Sequence, residues 1–163
     1  MGSIFALRSD LYDIRQNFDT SKFEFPSKIK LTKTIHDILD HDKKDEIFYY
    51  HKSKYYSQLL EEMKNKDTIY QWRRVYVREN KSNLVPTLTA NMGTGGHNVP
   101  LILTYSGDIR KLTPRECFNV QGFPKEYKLP NQSNGRLYKQ AGNSVVVPVI
   151  ERIAKNLADT IVE

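Results

Sequence analysis

The sequence predicts an α+β fold in which short helices surround a small, mostly antiparallel sheet. Alternating or β-branched apolar residues in the middle of the chain predict strands at 74–78, 85–89 and 99–104. Apolar residues with helical spacing occur on both sides of this region. The chain has 163 residues, of which 39% are hydrophobic and 27% charged, so we expect one modest core.

Three elements are predicted before the sheet. A short apolar run at 3–7 is typical of a buried strand. A short amphipathic helix is expected over 32–39, with Thr32 or Thr34 as its N-cap. A second helix around 54–64 either supplies basic contacts to a polyanion or covers the sheet with a solvated outer face. The predicted apolar face of this second helix consists of Tyr56, Leu59, Leu60 and Met63.

Arginines are concentrated beside the first predicted strand of the sheet. If 74–78 is one strand, Arg74 and Arg78 lie on one face and Arg73 lies on the other. Arginine is the usual partner of guanine in the major groove, because its fork matches two acceptors on that base. A solvent-facing charged strand would have the same composition. The net charge of +6 and pI near 9.3 suit a polyanion such as nucleic acid.

The segment 91–96 (NMGTGG) is predicted to be a glycine-rich loop between strands. Glycines in such a loop allow a phosphate backbone or a base edge to approach closely. A tight turn without any ligand would use the same residues, so the loop alone does not decide between the two.

A helix is predicted to begin at Thr113 and to end before Gly122. Thr113, Pro114 and Glu116 form a capping box with proline in the first helical position. Cys117 lies inside this helix without an adjacent histidine or a preceding proline, so we expect a buried structural thiol. As the single cysteine, it excludes an internal disulfide and suits a reducing compartment.

The last predicted helix follows a Gly142-Asn143-Ser144 turn and has Pro148 in its first turn. The amides of that turn and the Asn143 side chain are expected to be free to hold a polar ligand. An apolar stripe on this helix, if exposed, favours self-association. The stripe consists of Val146, Val149, Ile150, Ile153, Leu157 and Ile161.

No signal peptide or membrane span is expected at the N-terminus. Asp10 and Asp13 closely follow the only apolar run there, which is too short for either kind of segment. We therefore expect a cytoplasmic protein with no membrane partner.

Three blocks of sequence occur in order: the Thr87-Leu88 dipeptide, the segment 110–124 (RKLTPRECFNVQGFP) and the segment 142–145 (GNSV). Together they resemble motifs of the DNA cytosine-5 methyltransferases. The opening SIFALRSDL resembles the strand that follows the family's Gln-x-Arg-x-Arg motif, so the resemblance covers nearly the whole chain. The family's glycine-rich cofactor loop and Pro-Cys nucleophile have no counterpart here. The resemblance therefore implies the C-terminal part of such an enzyme, such as the smaller subunit of a split enzyme.

The resemblance also implies a division of the chain and roles for individual residues. Residues 1–8 would be a strand of the catalytic domain, 9–125 the target-recognition domain, and 126–163 a segment and helix that return to the Rossmann-like catalytic domain. Arg110 and Arg115 would be structural anchors or, alternatively, phosphate contacts. No catalytic residue or metal ligand is assigned. The implied S-adenosylmethionine contacts are Asn143, Ser144 and Val145, and the implied DNA contacts are Arg73, Arg74, Arg78, Thr87, Leu88, Gly93, Gly95 and Gly96.

Two hypotheses of function follow. In the first, the chain supplies DNA target recognition and part of the S-adenosylmethionine site of a DNA (cytosine-5-)-methyltransferase, and is inactive without an N-terminal catalytic part. Its partners would be double-stranded DNA, that catalytic subunit or fragment, and possible further copies of itself through exposed apolar ends. In the second hypothesis, the chain is a non-catalytic DNA-binding or regulatory remnant of such an enzyme.

Overall fold

The computed structural model describes residues 23–73, 75–80, 84–94 and 98–160, apart from the side chain of Thr94. Two compact units are present, one of residues Leu31–Val146 and one of residues Met1–Lys30 with Val147–Glu163. The predicted strand at 3–7 lies outside the described residues.

The larger unit contains a four-stranded antiparallel sheet with the strand order β2-β1-β3-β4. This confirms the predicted sheet and the predicted strand near 99–104. The segment 85–89 forms no strand, so that prediction is wrong, and the last strand of the sheet was not predicted from the sequence. The strands are β1 (Tyr70–Arg73), β2 (Tyr76–Glu79), β3 (Pro100–Leu103) and β4 (Ile109–Lys111).

The first two strands form a hairpin where the sequence predicts one strand. Arg73 pairs with Tyr76, and Gln71 pairs with Arg78. Directly paired residues in antiparallel strands share a face, and so do alternate residues along one strand. Arg73 and Arg78 therefore lie on the same face of the hairpin. The prediction that they occupy opposite faces is wrong.

Short helices surround the sheet, as predicted. In the larger unit, 3-10 turns also occur at Glu46–Phe48 and Met92–Thr94. The α-helices of the described residues are α1 (Ile35–Ile38), α2 (Tyr56–Glu62), α3 (Pro114–Val120), α4 (Asn134–Asn143) and α5 (Val147–Ala158).

A hydrophobic cluster covers one face of the sheet. Tyr70 and Trp72 of β1 pack there with Leu59 and Met63, from α2 and its C-terminal cap. Leu60, predicted on the same apolar face of the helix, is instead 38% exposed. The helix at 54–64 therefore covers the sheet, with a narrower apolar face than the sequence predicts.

A second cluster covers the opposite face. Ile102 of β3 and Leu112 pack there with Cys117 and Phe118 of α3 and with Tyr138 of α4. Helices thus cover both faces of the sheet at its central strands β1 and β3, whereas Tyr76 and Arg78 of the edge strand β2 are exposed.

The predicted capping signals are confirmed at two helices. The Thr34 amide donates to the Asp37 carboxylate at 2.6 Å at the start of α1. The Thr113 amide donates to Glu116 Oε2 at 2.7 Å, and the Glu116 amide donates to Thr113 Oγ1 at 3.2 Å. Gly122 follows α3 with a φ of 84°, a conformation that favours glycine and ends the helix.

The segment Gly142-Asn143-Ser144 is not a free turn. Asn143 is the last residue of α4, and Ser144 is its C-cap. The Ser144 amide donates to the Ala141 carbonyl at 3.3 Å, and the Ser144 hydroxyl donates to the same carbonyl at 2.7 Å. The expectation that the amides of this segment are free is therefore wrong at Ser144, while the Asn143 side chain is exposed as expected.

The terminal unit contains α5, whose Asn156 side chain donates to the Glu24 carbonyl at 2.8 Å. No residue of α5 is buried. Val149 is 52% exposed, Ile150 is 43% exposed and Leu157 is 37% exposed. Four members of the predicted stripe, Val146, Val149, Ile150 and Leu157, are thus exposed, and Ile153 is half-buried. The last member, Ile161, lies outside the described residues. Within the described part of the chain, no helix combines the length and apolarity needed to cross a membrane.

Candidate nucleic-acid interface

The hairpin presents two of the candidate DNA-binding arginines on one face. Arg78 is exposed on β2, which is an edge strand of the sheet. Arg73 is half-buried, and its guanidinium donates to Asn98 Oδ1 at 2.9 Å. This bond links the hairpin to Asn98, which follows the glycine-rich loop in sequence. Arg74, Gly95 and Gly96 lie outside the described residues.

Gly93 is the first glycine of the glycine-rich loop and packs closely on Tyr138 of α4. A Cβ atom at this position would overlap the Tyr138 ring. The adjacent Met92 is 1% exposed and belongs to the core. The absence of a side chain at Gly93 therefore has a packing reason in this structure, in addition to any role in approaching DNA.

The Thr87-Leu88 dipeptide has one exposed and one buried member. Leu88 is 7% exposed and packs in the cluster that contains Ile102 and Tyr138. Thr87 is exposed. Leu88 therefore anchors this segment while Thr87 is accessible to a ligand.

The end of α4 lies directly against the segment that follows Thr87-Leu88. A Cβ atom at Gly142 would overlap the backbone of Thr89 and Ala90. Gly142 thus allows the helix and this segment to approach more closely than any other residue would. This contact places the candidate cofactor residues beside the candidate recognition segment.

A cleft of about 600 Å³ runs along the exposed side of α4. Asn143 lies at its C-terminal end and is exposed, Ser144 is half-buried, and the adjacent Val145 is 55% exposed. The Ser144 hydroxyl uses its proton on Ala141 but keeps lone pairs that can accept. These side chains fit one edge of a site for a polar ligand. The residues that line the cleft are Gln132, Arg136, Lys139, Gln140, Asn143 and Ser144.

Sequence reasoning missed Arg136 and Lys139, because α4 itself was not predicted. The helical spacing of the polar residues Arg136, Lys139, Gln140 and Asn143 is a signal that could have found them. It becomes informative only when the segment is recognised as a helix.

Arg110 is a buried anchor and not a phosphate contact. It is 2% exposed, and its guanidinium donates two hydrogen bonds of 2.8 Å to the two oxygens of Glu116, which is 0% exposed. It also donates to the Asp40 carbonyl at 3.1 Å. This arrangement ties β4, α3 and the segment after α1 together, and it confirms the anchoring role predicted for Arg110.

Arg115 is half-buried in the larger unit, and Cys117 is buried. The Arg115 guanidinium donates to the Tyr127 carbonyl, which ties α3 to the segment after it. Cys117 is 0% exposed. Its burial raises the pKa of the thiol well above the usual range, and the neighbouring Glu116 acts in the same direction. As predicted, Cys117 is a structural thiol that does not supply a thiolate nucleophile.

A second cavity, of about 540 Å³, lies where β3 ends and β4 begins. Its lining includes His36, which contacts the Tyr105 hydroxyl at 3.0 Å. It also includes Asp108, whose pKa is lowered by hydrogen bonds from Ser106 and His51. Among the described residues, no group of three or more histidine, cysteine, aspartate or glutamate side chains is arranged to hold a metal ion. The sequence patterns gave no indication of this cavity.

Comparison with known proteins decides the family. The family described as C-5 cytosine-specific DNA methylase matches residues 3–159. The chain belongs to this family. The resemblance identified from the segments at 87–88, 110–124 and 142–145 is therefore confirmed at the level of the methylase family.

Individual members of the methylase family match most of this chain. Type II methyltransferase M.Bsp6I from Bacillus sp. (strain RFL6) is 63% identical over 138 residues, which cover 83% of this chain and 44% of the relative. Type II methyltransferase M.HhaI from Haemophilus parahaemolyticus is 30% identical over 168 residues, which cover 90% of this chain and 46% of the relative. The chain thus spans less than half the length of these methylases.

A solved structure supports the fold. The Entamoeba histolytica methyltransferase EhMeth matches 87% of this chain and 45% of its own chain, with a TM-score of 0.51 and 17% sequence identity. At this identity the likeness concerns the fold alone, and it agrees with the mixed α+β architecture described above.

Proposed function

We propose that this chain supplies DNA target recognition and one edge of the S-adenosylmethionine site of a DNA (cytosine-5-)-methyltransferase, and that methyl transfer requires an additional N-terminal catalytic part. The observation that carries the proposal is the close approach of Gly142 to the backbone of Thr89 and Ala90. Through this contact, a chain of the methylase family holds its candidate cofactor and recognition segments together in one unit.

Asn143, Ser144 and Val145 are the residues that would hold the cofactor, which supplies the methyl group when bound. The Asn143 amide is exposed and can both donate and accept hydrogen bonds. The Ser144 hydroxyl is oriented by its bond to Ala141, so it presents its lone pairs as acceptors. Val145 adds exposed apolar surface beside them. Together these groups orient one side of the cofactor.

DNA recognition is assigned to the hairpin and the loops beside it. Arg78 is exposed and free to reach a base edge, while the bond from Arg73 ties the hairpin to Asn98, which follows the glycine-rich loop in sequence. Leu88 anchors Thr87 at the surface. Arg74, Gly93, Gly95 and Gly96 remain proposed members of the same interface. A bidentate arginine–guanine contact would contribute about 1–3 kcal/mol of base discrimination.

Methyl transfer to cytosine requires a thiolate nucleophile that this chain does not supply. Cytosine must leave the base stack and then be attacked by a thiolate before its neighbouring carbon accepts a methyl group. Cys117 is buried and the pKa of its thiol is raised, so it cannot serve as this nucleophile. No Pro-Cys pair occurs in the 163 residues. We therefore assign the nucleophile to the N-terminal catalytic part.

The exposed apolar face of α5 is the proposed docking site for that catalytic part. Val149, Ile150 and Leu157 would be buried by it, and removal of apolar surface from water stabilises association. A second copy of this chain is the alternative partner that could cover the same face. An oligomeric-state measurement with and without the catalytic part distinguishes them.

Complementation tests the proposal. The part of M.Bsp6I outside its match to this chain would be co-expressed with this chain, and plasmid DNA would be examined by bisulfite sequencing. We expect methylated cytosine at a fixed sequence only when both parts are present. If no cytosine is methylated although the two parts form a stable complex, the proposal fails. Duplex binding by the chain without any methylation in the mixture would favour the non-catalytic remnant.

A further inference from the structure

We propose that the exposed cationic side of α4, formed by Arg136 and Lys139, binds the phosphate backbone of duplex DNA. This inference rests on the proposed function, and it adds a contact surface beyond the arginine hairpin. It also gives a role to the part of the α4 cleft that lies beyond Asn143 and Ser144.

Packing fixes which side of α4 faces outward. Leu137, Tyr138 and Ala141 are the buried residues of this helix and define its inner side. The Tyr138 hydroxyl donates to the Leu112 carbonyl at 2.6 Å. The Gln121 side chain donates to the Ala141 carbonyl at 3.1 Å. Because these contacts set the orientation of the helix about its axis, its opposite side lines the cleft.

The two cations on that side have no acidic partner in the described part of the chain. Neither Arg136 nor Lys139 lies within 4.0 Å of a described carboxylate oxygen. Both side chains are exposed. In contrast, Arg110 is paired with Glu116, and Lys44 lies 2.5 Å from Asp40. The positive charge of Arg136 and Lys139 is therefore available to an external anion.

The spacing of the two cations suits consecutive anionic groups. Residues three positions apart on a helix are neighbours on one side, with Cβ atoms about 5–6 Å apart. A nucleic-acid strand presents one phosphate after another along its length. Gln132 and Gln140 line the same cleft and supply further hydrogen-bond donors for phosphate or sugar oxygens.

The cofactor also carries a carboxylate and is proposed for the same cleft. Its net charge, however, argues against binding by Arg136 and Lys139. S-adenosylmethionine carries a sulfonium, an ammonium and a carboxylate, so its positive charges outnumber its negative one. Two unpaired cations would repel such a molecule more than they would attract it. Phosphate is therefore the favoured ligand of Arg136 and Lys139, while Asn143 and Ser144 at the end of the cleft remain assigned to the cofactor.

The salt dependence of DNA binding tests this assignment. The full chain and its Arg136→Gln/Lys139→Gln variant would be titrated with a fluorescent duplex by anisotropy over a range of salt concentrations. The slope of log affinity against log salt should decrease by about 0.9 for each phosphate that the variant no longer neutralises. The matched control is Lys52→Gln/Lys54→Gln, which removes the same charge from exposed positions before α2 and should keep more of the slope. Arg136→Lys/Lys139→Arg, which preserves the charge, should behave as the unmodified chain.

A second measurement separates phosphate from cofactor. In the complemented enzyme, the dissociation constant for S-adenosylmethionine should be unchanged by Arg136→Gln/Lys139→Gln. A weaker cofactor affinity with an unchanged salt slope would overturn the inference. So would equal slopes for this variant and the lysine control. Either result would overturn only the phosphate assignment, and the proposed function would stand as long as the complemented enzyme methylates DNA. The proposed function itself fails if the two parts form a complex that never methylates.

Discussion

Glu116 joins three parts of the larger unit through one buried carboxylate. It accepts hydrogen bonds from the Arg110 guanidinium, from the Thr113 amide at the start of α3, and from the Asp40 amide at 3.0 Å. Burial of an ion pair is costly, but here both oxygens have partners and so does the guanidinium. The pair therefore specifies where β4, α3 and the segment after α1 meet.

Replacement of Glu116 by glutamine should be strongly destabilising. The substitution removes the negative charge and sets an NH₂ group against donors, leaving Arg110 buried without its counter-ion. We expect a loss of about 3–5 kcal/mol in the free energy of unfolding, measured by urea denaturation. The control Glu61→Gln, at an exposed position of α2, should change that free energy by less than about 0.5 kcal/mol. A loss below about 1 kcal/mol at Glu116 would contradict the role assigned to the pair.

Single residues were predictable where their role depends on local sequence. The capping partners Thr113 and Glu116 are three positions apart, and the position of Cys117 within that helix predicts its burial. The roles of Gly93 and Leu88 depend instead on Tyr138 and the core around it, which are distant in sequence. The pattern within one segment carries no information about such contacts.

The same distinction applies to whole elements. The hairpin of β1 and β2 turns between Arg73 and Tyr76, and the sequence there has none of the glycine or asparagine signals of tight turns. Val75 is 79% exposed although it is apolar, so its hydrophobicity favours the wrong interpretation as part of a strand. The prediction of a single strand at 74–78, and the wrong faces for Arg73 and Arg78, follow from that missing signal.

Helix α4 was missed because its two glycines resemble helix breakers. Gly135 and Gly142 lie near opposite ends of the helix. A Cβ atom at Gly135 would have nothing within 4 Å, whereas one at Gly142 would overlap the Thr89–Ala90 backbone. The same residue type is thus dispensable at one end of the helix and required at the other.

Alanine substitutions at these two glycines should have opposite effects. In Gly142→Ala the new methyl group would overlap the backbone of Thr89 and Ala90, so the helix must move away from it. We therefore expect a loss of about 1–3 kcal/mol in the free energy of unfolding. Gly135→Ala should raise that free energy by up to about 1 kcal/mol, because alanine loses less backbone entropy in a helix. Thermal and urea unfolding of both variants measure the difference. Equal effects at the two positions would show that the close approach at Gly142 is not a stability determinant.

At the scale of the molecule, the sequence predicts the kind of fold but not how completely the sheet is covered. Strand and helix periodicities predict a small antiparallel sheet with short helices, and both are present. The pairing of β1 with β3 joins Tyr70 to Leu101, and such distant pairings are not encoded in local periodicity. The two hydrophobic clusters that result contain only residues of the larger unit.

The larger unit should therefore fold without the terminal unit. A fragment of residues 31–146 keeps all four strands, both clusters and the Arg110–Glu116 pair. Trp72, the single tryptophan, is 8% exposed and stacks on Tyr55 at 4.6 Å, so its fluorescence reports on this fold. We expect one cooperative urea transition for the fragment, with a midpoint lowered by Glu116→Gln as in the full chain.

A gradual, non-cooperative change in Trp72 fluorescence would show that the fragment lacks a fixed core and that the terminal unit is required for folding. A cooperative transition would instead show that the larger unit folds without the terminal unit, which would then have a role other than folding. Since α5 buries none of its residues, that work would be the docking of the catalytic part. Val149→Ser/Ile150→Ser in the full chain should then abolish complementation while leaving the urea midpoint reported by Trp72 unchanged, because these side chains belong to neither cluster. A shifted midpoint would place them in the folding core and remove the support for docking.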